Sequence, residues 1–209
     1  MNKKDQNLKL QIEERKKIFV SSKNIEVKNL LLLESSHTSQ MKEKDDMILT
    51  PKNCLDTHCH DCRLHETRTN VVWGDGNYKS KLILVGRDPG REEDEQGIAF
   101  VGRAGKLLNK FLTMLRLTRD NILILNLLKC RPPGNREPKL DEREACDKYL
   151  TRQFHLAPNK KVVLVLGGTA WLHLTDESLQ VTKHHGRVKK IGPLKYIYTF
   201  HPSYISRNQ

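Results

Sequence analysis

The sequence predicts a three-layer α/β/α sandwich around a central, mainly parallel four-stranded sheet. Three observations carry that expectation. Four short apolar runs, at 81–86 (KLILVG), 121–128, 161–166 (KVVLVL) and 196–200 (YIYTF), have the length and composition of buried strands. Segments with helical apolar spacing separate them, which implies parallel strands covered on both faces. Three strand ends, at 86–94, 126–131 and 201–207, carry polar residues, and ligands of open α/β sheets bind at the carboxyl ends of the strands.

Each element has its own signal. Residues 1–50 are rich in Lys, Glu, Asp, Asn and Ser and read as a polar, partly disordered extension. Within it, 8–20 has a helical pattern, 30–33 is an apolar patch and 34–46 reads as a linker. The domain proper is expected over 51–209. After the first strand, Pro89 and Gly90 force a turn. Leu107, Leu108, Phe111, Leu112 and Leu115 then fall on one helical face. Asp141 suits a helix cap with Glu144 as its capping-box partner, in a helix running to about Leu156. Gly167 and Gly168 lead from the third strand into a helix through Leu174, and the fourth strand ends at His201-Pro202.

Composition narrows the partners. The chain has 209 residues, 37% of them hydrophobic and 30% charged, with a formal net charge of +12. That balance suits a polyanion such as nucleic acid. No apolar run approaches the roughly 18 residues of a membrane span, and the first residues carry no apolar signal core. A soluble monomer in the cytoplasm, associated with the nucleoid, is expected.

Five cysteines stand at 54, 59, 62, 130 and 146. Cys59 and Cys62 have C-x-x-C spacing, so one turn can present both thiolates to one metal. Cys130 and Cys146 must be brought in by the fold. Four thiolates suit zinc or a [4Fe-4S] cluster, buried core cysteines are the plain alternative, and Cys54 can replace either member of the pair.

Four stretches make the pattern specific: TRTNVVWGDGNYKSKLILVG at 67–86, DPGREEDEQGIAFVGRAGKLL at 88–108, NLLKCRPPGNREP at 126–138 and HPSYISRN at 201–208. In order and spacing they resemble the family 4, iron–sulfur uracil-DNA glycosylases. The resemblance implies that Cys59, Cys62, Cys130 and Cys146 ligate a [4Fe-4S] cluster, leaving Cys54 free. It implies a uracil-DNA glycosylase-like fold, with uracil-containing DNA, single- or double-stranded, as the partner. Such an enzyme flips the nucleotide out of the stack and reads its Watson–Crick edge. Phe100 matches the stacking aromatic, Asn126 the amide that pairs with the uracil edge, and His201 the motif histidine beside uracil O2. Glu93 matches an acidic pocket residue of the family and is the rival candidate to Asp88 for the catalytic carboxylate. In the loop after His201, Ile205 stands where an apolar side chain fills the vacated stack, with Arg103, Ser203 and Arg207 at the DNA backbone.

The chain departs from the family at its first motif. The usual G-E-[AG]-P-G reads Gly86-Arg87-Asp88-Pro89-Gly90 here. Asp88 stands at the step where family 1 enzymes carry their water-assisting aspartate, so Asp88 is the expected carboxylate for water attack. Arg87 is expected to narrow the pocket. Only eight residues follow His201, where the family continues into a final helix; this reads as a truncated end or as the front of a larger replication or repair protein, in a phage or mobile-element setting (host cytoplasm). The competing function is a catalytically impaired iron–sulfur DNA-binding module attached to such a protein. A structural zinc protein is a further alternative. Residues 131–145 contain no His, which argues against the related class that traps uracil covalently on a histidine.

Overall fold

The computed structural model describes residues 58–207. The expected 1–50 extension, its helical segment and Cys54 lie outside the described residues. In chain order the elements are β1 (Asp75–Gly76), β2 (Leu82–Gly86), α1 (Arg91–Gln96), α2 (Arg103–Met114), β3 (Leu123–Asn126), α3 (Leu140–His155), β4 (Val162–Leu166), α4 (Gly168–Thr175), α5 (Val181–His184), β5 (Val188–Ile191), β6 (Leu194–Thr199) and α6 (Pro202–Arg207).

The sheet order is β1-β3-β2-β4-β6-β5. Its centre, β3-β2-β4-β6, is parallel throughout, and these are the four strands the apolar runs predict. The sheet itself has six strands, not four, because short antiparallel strands cap both edges. Neither edge strand has an apolar signature. β1 is two residues long, and β5 is the mostly exposed VKKI, whose lysines blunt the edge against pairing with other chains. The β5–β6 hairpin turns at Gly192-Pro193, with Gly192 at φ +56°.

Alternation along the strands assigns the two faces. Ile83 and Val85 of β2 join Leu123, Leu125, Val163, Val165 and Tyr198 in one core, closed by Leu150 of α3 and by Ala170 and Trp171 of α4. Leu84 and Ile124 point the other way, onto Leu108 and Leu112 of α2. Helices therefore cover both faces, as the three-layer prediction requires. Trp171 stacks on Tyr198 with ring centroids 4.7 Å apart, a geometry adding about 0.5–1.5 kcal/mol beyond area burial.

Two local expectations differ. α3 starts at Leu140 with Lys139 as its cap, and Glu142, not Glu144, accepts from the Lys139 amide at 2.8 Å. Glu142 is fully buried and paired with Arg136, which places the cap at Lys139, two residues before Asp141. The segment after His201 is the short helix α6 rather than a loop; Pro202 suits a first helical position because its missing amide hydrogen has no partner there anyway. No helix among the described residues is long and apolar enough to cross a membrane.

Candidate active site and cysteine cavity

β2 connects to β3 on one side of the sheet, and β4 lies on its other side. That reversal opens a crevice at the carboxyl ends of the strands. A cavity of about 500 Å³ occupies it, within the usual range for small-ligand sites. Arg87, Asp88, Glu93, Phe100, Asn126, His201, Ser203 and Arg207, all singled out in the sequence, line it. Arg103 and Ile205 stand outside that lining.

Asn126 ends β3 and is 2% exposed; its Oδ1 is buried with no hydrogen-bond partner among the described residues. A buried unmade acceptor costs about 1–3 kcal/mol, so its position on a cavity wall points to a ligand donor. Phe100 is buried at φ +55°, an uncommon conformation for a bulky residue. Arg119 fixes it by donating to the carbonyls of Ala99, at 2.9 Å, and of Phe100. Strain held in this way is typical of functional sites. The start of α2 abuts the Phe100 backbone, and a Cβ on Gly105 would come within 1.7 Å of the Phe100 carbonyl oxygen.

Gly86 sits between amide and ring. A Cβ there would lie 2.5 Å from Asn126 Oδ1 and 2.8 Å from Phe100 Cζ. Gly86→Ala is expected to lower the unfolding free energy by about 1–3 kcal/mol through overpacking, seen as a lower denaturant midpoint at unchanged m-value.

His201 follows β6, with its ring centroid 5.5 Å from that of Phe100. The Ser203 amide donates to His201 Nδ1 at 3.2 Å, and the Ser203 hydroxyl lies 2.8 Å from the same nitrogen. Nδ1 is therefore an acceptor, and the ring proton resides on Nε2. Burial, with Arg87 and Arg207 nearby, lowers the His201 pKa to about 4, so the ring is neutral near pH 7. Ser203, expected at a phosphate, thus orients the histidine.

Asp88 is nearly buried and pairs with Arg87, which also pairs with Glu137. Glu137 in turn accepts from the Thr169 hydroxyl at 3.3 Å. The strand ends of β2, β3 and β4 are thereby tied together. Burial raises the Asp88 pKa to about 6, against the opposing pull of Arg87 and with smaller upward pushes from Glu137 and Glu93. Glu93 accepts from the amides of Gly90 at 3.1 Å and Gly102 at 2.8 Å, one to each carboxylate oxygen. It braces the two loops that shape the pocket. Arg103 Nη2 donates to the Ser206 carbonyl at 3.0 Å, joining α2 to α6, while Arg207 is exposed at the cavity wall. Glu137 and Thr169 carry no sequence signal, because nothing local distinguishes them from surface residues.

A second cavity is lined by four of the five cysteines, Cys59, Cys62, Cys130 and Cys146, together with Leu64, Val71, Trp73 and Leu128. Donors already face the sulfurs: the Lys129 amide lies 3.3 Å from Cys146 Sγ, and Arg68 Nη1 lies 3.4 Å from Cys130 Sγ. The Trp73 indole nitrogen is buried with no partner among the described residues. Burial pushes the thiols of Cys62 and Cys130 up and that of Cys146 to about 12. Such thiols give up their protons when a metal takes their place. The donor set therefore fits a thiolate-bound group.

A switch-point crevice whose wall presents an amide acceptor, an aromatic ring and a neutral imidazole defines an α/β protein that binds a planar polar ligand. A family model described as the Uracil DNA glycosylase superfamily matches residues 73–209. The type-4 uracil-DNA glycosylase of Thermotoga maritima is 43% identical over 153 residues, covering 72% of this chain and 79% of that protein. That of Archaeoglobus fulgidus is 42% identical over 154 residues, 69% of this chain and 76% of that protein. The chain belongs to the type-4 uracil-DNA glycosylases. A more distant likeness, 25% over 141 residues, is to the DNA polymerase of Bacillus phage SP01, of which it covers 15%.

Proposed function

We propose that this protein hydrolyses the N-glycosidic bond of uracil in DNA, releasing the free base and leaving an abasic site. The observation that carries the reading is the buried, unpartnered Asn126 Oδ1 on the cavity wall. Uracil offers an N3–H donor to such an acceptor, whereas cytosine presents another acceptor there. Phe100 supplies the stacking face for the flipped base. As the bond from C1′ to N1 breaks, its electron pair passes to the base, and the His201 Nε2–H stabilises the charge gathering on O2. Ionised Asp88 stabilises the positive charge at C1′, aligns the attacking water and takes its proton. Arg87 sets the charge of Asp88, and Glu93 holds the loops around the base. Arg103, Ile205 and Arg207 contact the DNA around the pocket, in a protein acting as a monomer in the nucleoid-associated cytoplasm.

The four cysteines are proposed to hold a [4Fe-4S] cluster. They line one cavity together, and four thiolates are the usual ligand set of such a cluster. A cluster spreads its four ligands around a larger body than zinc does. When bound, it supplies a four-point cross-link between the 59–62 segment, the loop after β3 and α3.

The test is uracil release from a single-stranded oligonucleotide by anaerobically purified protein. Asn126→Ala is expected to reduce release about tenfold to a hundredfold, as two hydrogen bonds to the base are lost, while affinity for undamaged DNA stays unchanged. No release by folded, brown wild-type protein favours a DNA-binding module within a replication protein instead, a reading that the phage polymerase likeness supports.

A further inference from the structure

Lys129 joins the two cavities. It lies in the segment between β3 and α3, beside Cys130, and is 1% exposed, among the largest fully buried side chains of the protein. Long basic side chains are almost never buried so completely unless they are paired. Yet no carboxylate lies within ion-pair distance of it among the described residues. Its Nζ donates to one group, the backbone carbonyl of Asn126, at 2.5 Å. Its own backbone amide faces Cys146 Sγ, and its carbonyl accepts from the Val72 amide at 2.7 Å. The side chain thus turns back along its own segment and clamps the residue whose amide reads the cavity, while its backbone is fixed by the cysteine cavity.

We infer that Lys129 is a positioning residue for base recognition: its side chain holds the Asn126 carbonyl and so aims the Asn126 amide, and the four-cysteine site fixes Lys129 in place. The strand ladder ends at Asn126, paired with Gly86. Beyond that pairing, the Leu127 amide donates to the Gly86 carbonyl and the Leu128 amide to the Arg87 carbonyl, both at 3.1 Å, and the Lys129 bond is the hold on the Asn126 carbonyl itself. Loss of this hold loosens the carbonyl end of Asn126 and with it the aim of the amide on the cavity wall. The inference needs only the N–H donor, so a neutral donor of similar reach preserves it and an apolar side chain does not. It rests on the assignment of Asn126 as the base-reading amide.

The experiment compares Lys129→Met with Lys129→Gln, both purified anaerobically. Three quantities are read: iron per chain, affinity for free uracil as a competitor of release, and affinity for undamaged single-stranded DNA. Lys129→Met is expected to keep its iron and its DNA affinity but to bind free uracil about tenfold more weakly, the loss of one strong hydrogen bond's influence. Lys129→Gln is expected to stay within about threefold of wild type for uracil, since a tenfold loss marks the bond and twofold to threefold variation is ordinary context. Equal losses in both variants, or wild-type uracil affinity in Lys129→Met, overturn the inference. If Lys129→Met does not fold, Lys129→Gln decides alone: iron-loaded protein with weakened uracil binding counts against the role, and near-normal binding supports it. Asn126→Ala run alongside separates the two ideas, because normal uracil binding in that variant sinks the Asn126 assignment itself.

Discussion

Asp88→Asn is expected to lower kcat for uracil release on the order of 10³-fold, with little change in KM, because positioned base catalysis contributes about 10²–10⁴-fold. The carboxylate is nearly buried at the strand end and pairs with Arg87, so the isosteric amide keeps the shape and loses the charge. The wild-type pH profile carries the matching signature. In the proposed mechanism Asp88 acts ionised, and burial raises its pKa to about 6. The rate therefore falls as pH drops through about 6. Arg87 opposes that rise, whereas Glu137 and Glu93 add to it. Arg87→Gln removes the opposing cation, so the acid limb moves to higher pH and activity near neutrality falls. An unmoved limb in Arg87→Gln shows that the limb does not belong to Asp88. The family's usual Glu at this step cannot be paired with a neighbouring Asp in this way; the arginine makes a buried aspartate tenable at the next position.

His201→Ala is expected to lower kcat on the order of 10²–10³-fold, the usual cost of removing one preorganised donor from a developing anion. The ring is fixed by Ser203 and stands 5.5 Å from Phe100, between centroids. In the proposed mechanism it is a neutral donor through Nε2, because Nδ1 accepts the Ser203 amide. Burial and two nearby arginines lower its pKa to about 4. Protonation at Nδ1 requires breaking the Ser203 bond, so no limb from His201 belongs near pH 6.5. Two limbs above pH 5, one of them lost in His201→Ala, are the outcome that contradicts a neutral imidazole. Ser203→Ala removes the hydroxyl contact but keeps the backbone amide on Nδ1, so the ring is held less firmly; a mild loss of kcat with unchanged DNA affinity is expected. A role at phosphate would instead weaken DNA binding.

Local chemistry made much of this protein legible. The four parallel strands follow from short apolar runs, since a strand buried on both faces admits little else. The site falls at their carboxyl ends because Gly86, Asn126 and His201 each close a run with a residue that does not continue it. The cysteine spacing indicated a metal or cluster site, and the motif order identified the family. What the pattern could not show is whatever depends on distant partners. β1 and β5 exist only because neighbouring strands offer open edges, and their own residues are polar or too few. Glu142 takes the capping role from Glu144 because Arg136 and the helix packing bury it. Glu93 lines the pocket as its motif implies, but its bonds to two backbone amides, and the bond between Ser203 and a histidine nitrogen, could not be read from the sequence. Glu137 and Lys129 had no signal at all. Their roles arise when loops after different strands meet, where a cation finds its carboxylate or a buried ammonium finds its carbonyl. Apolar periodicity is encoded residue by residue, whereas the pairing of buried polar groups is decided by which chain segments the folded sheet brings side by side.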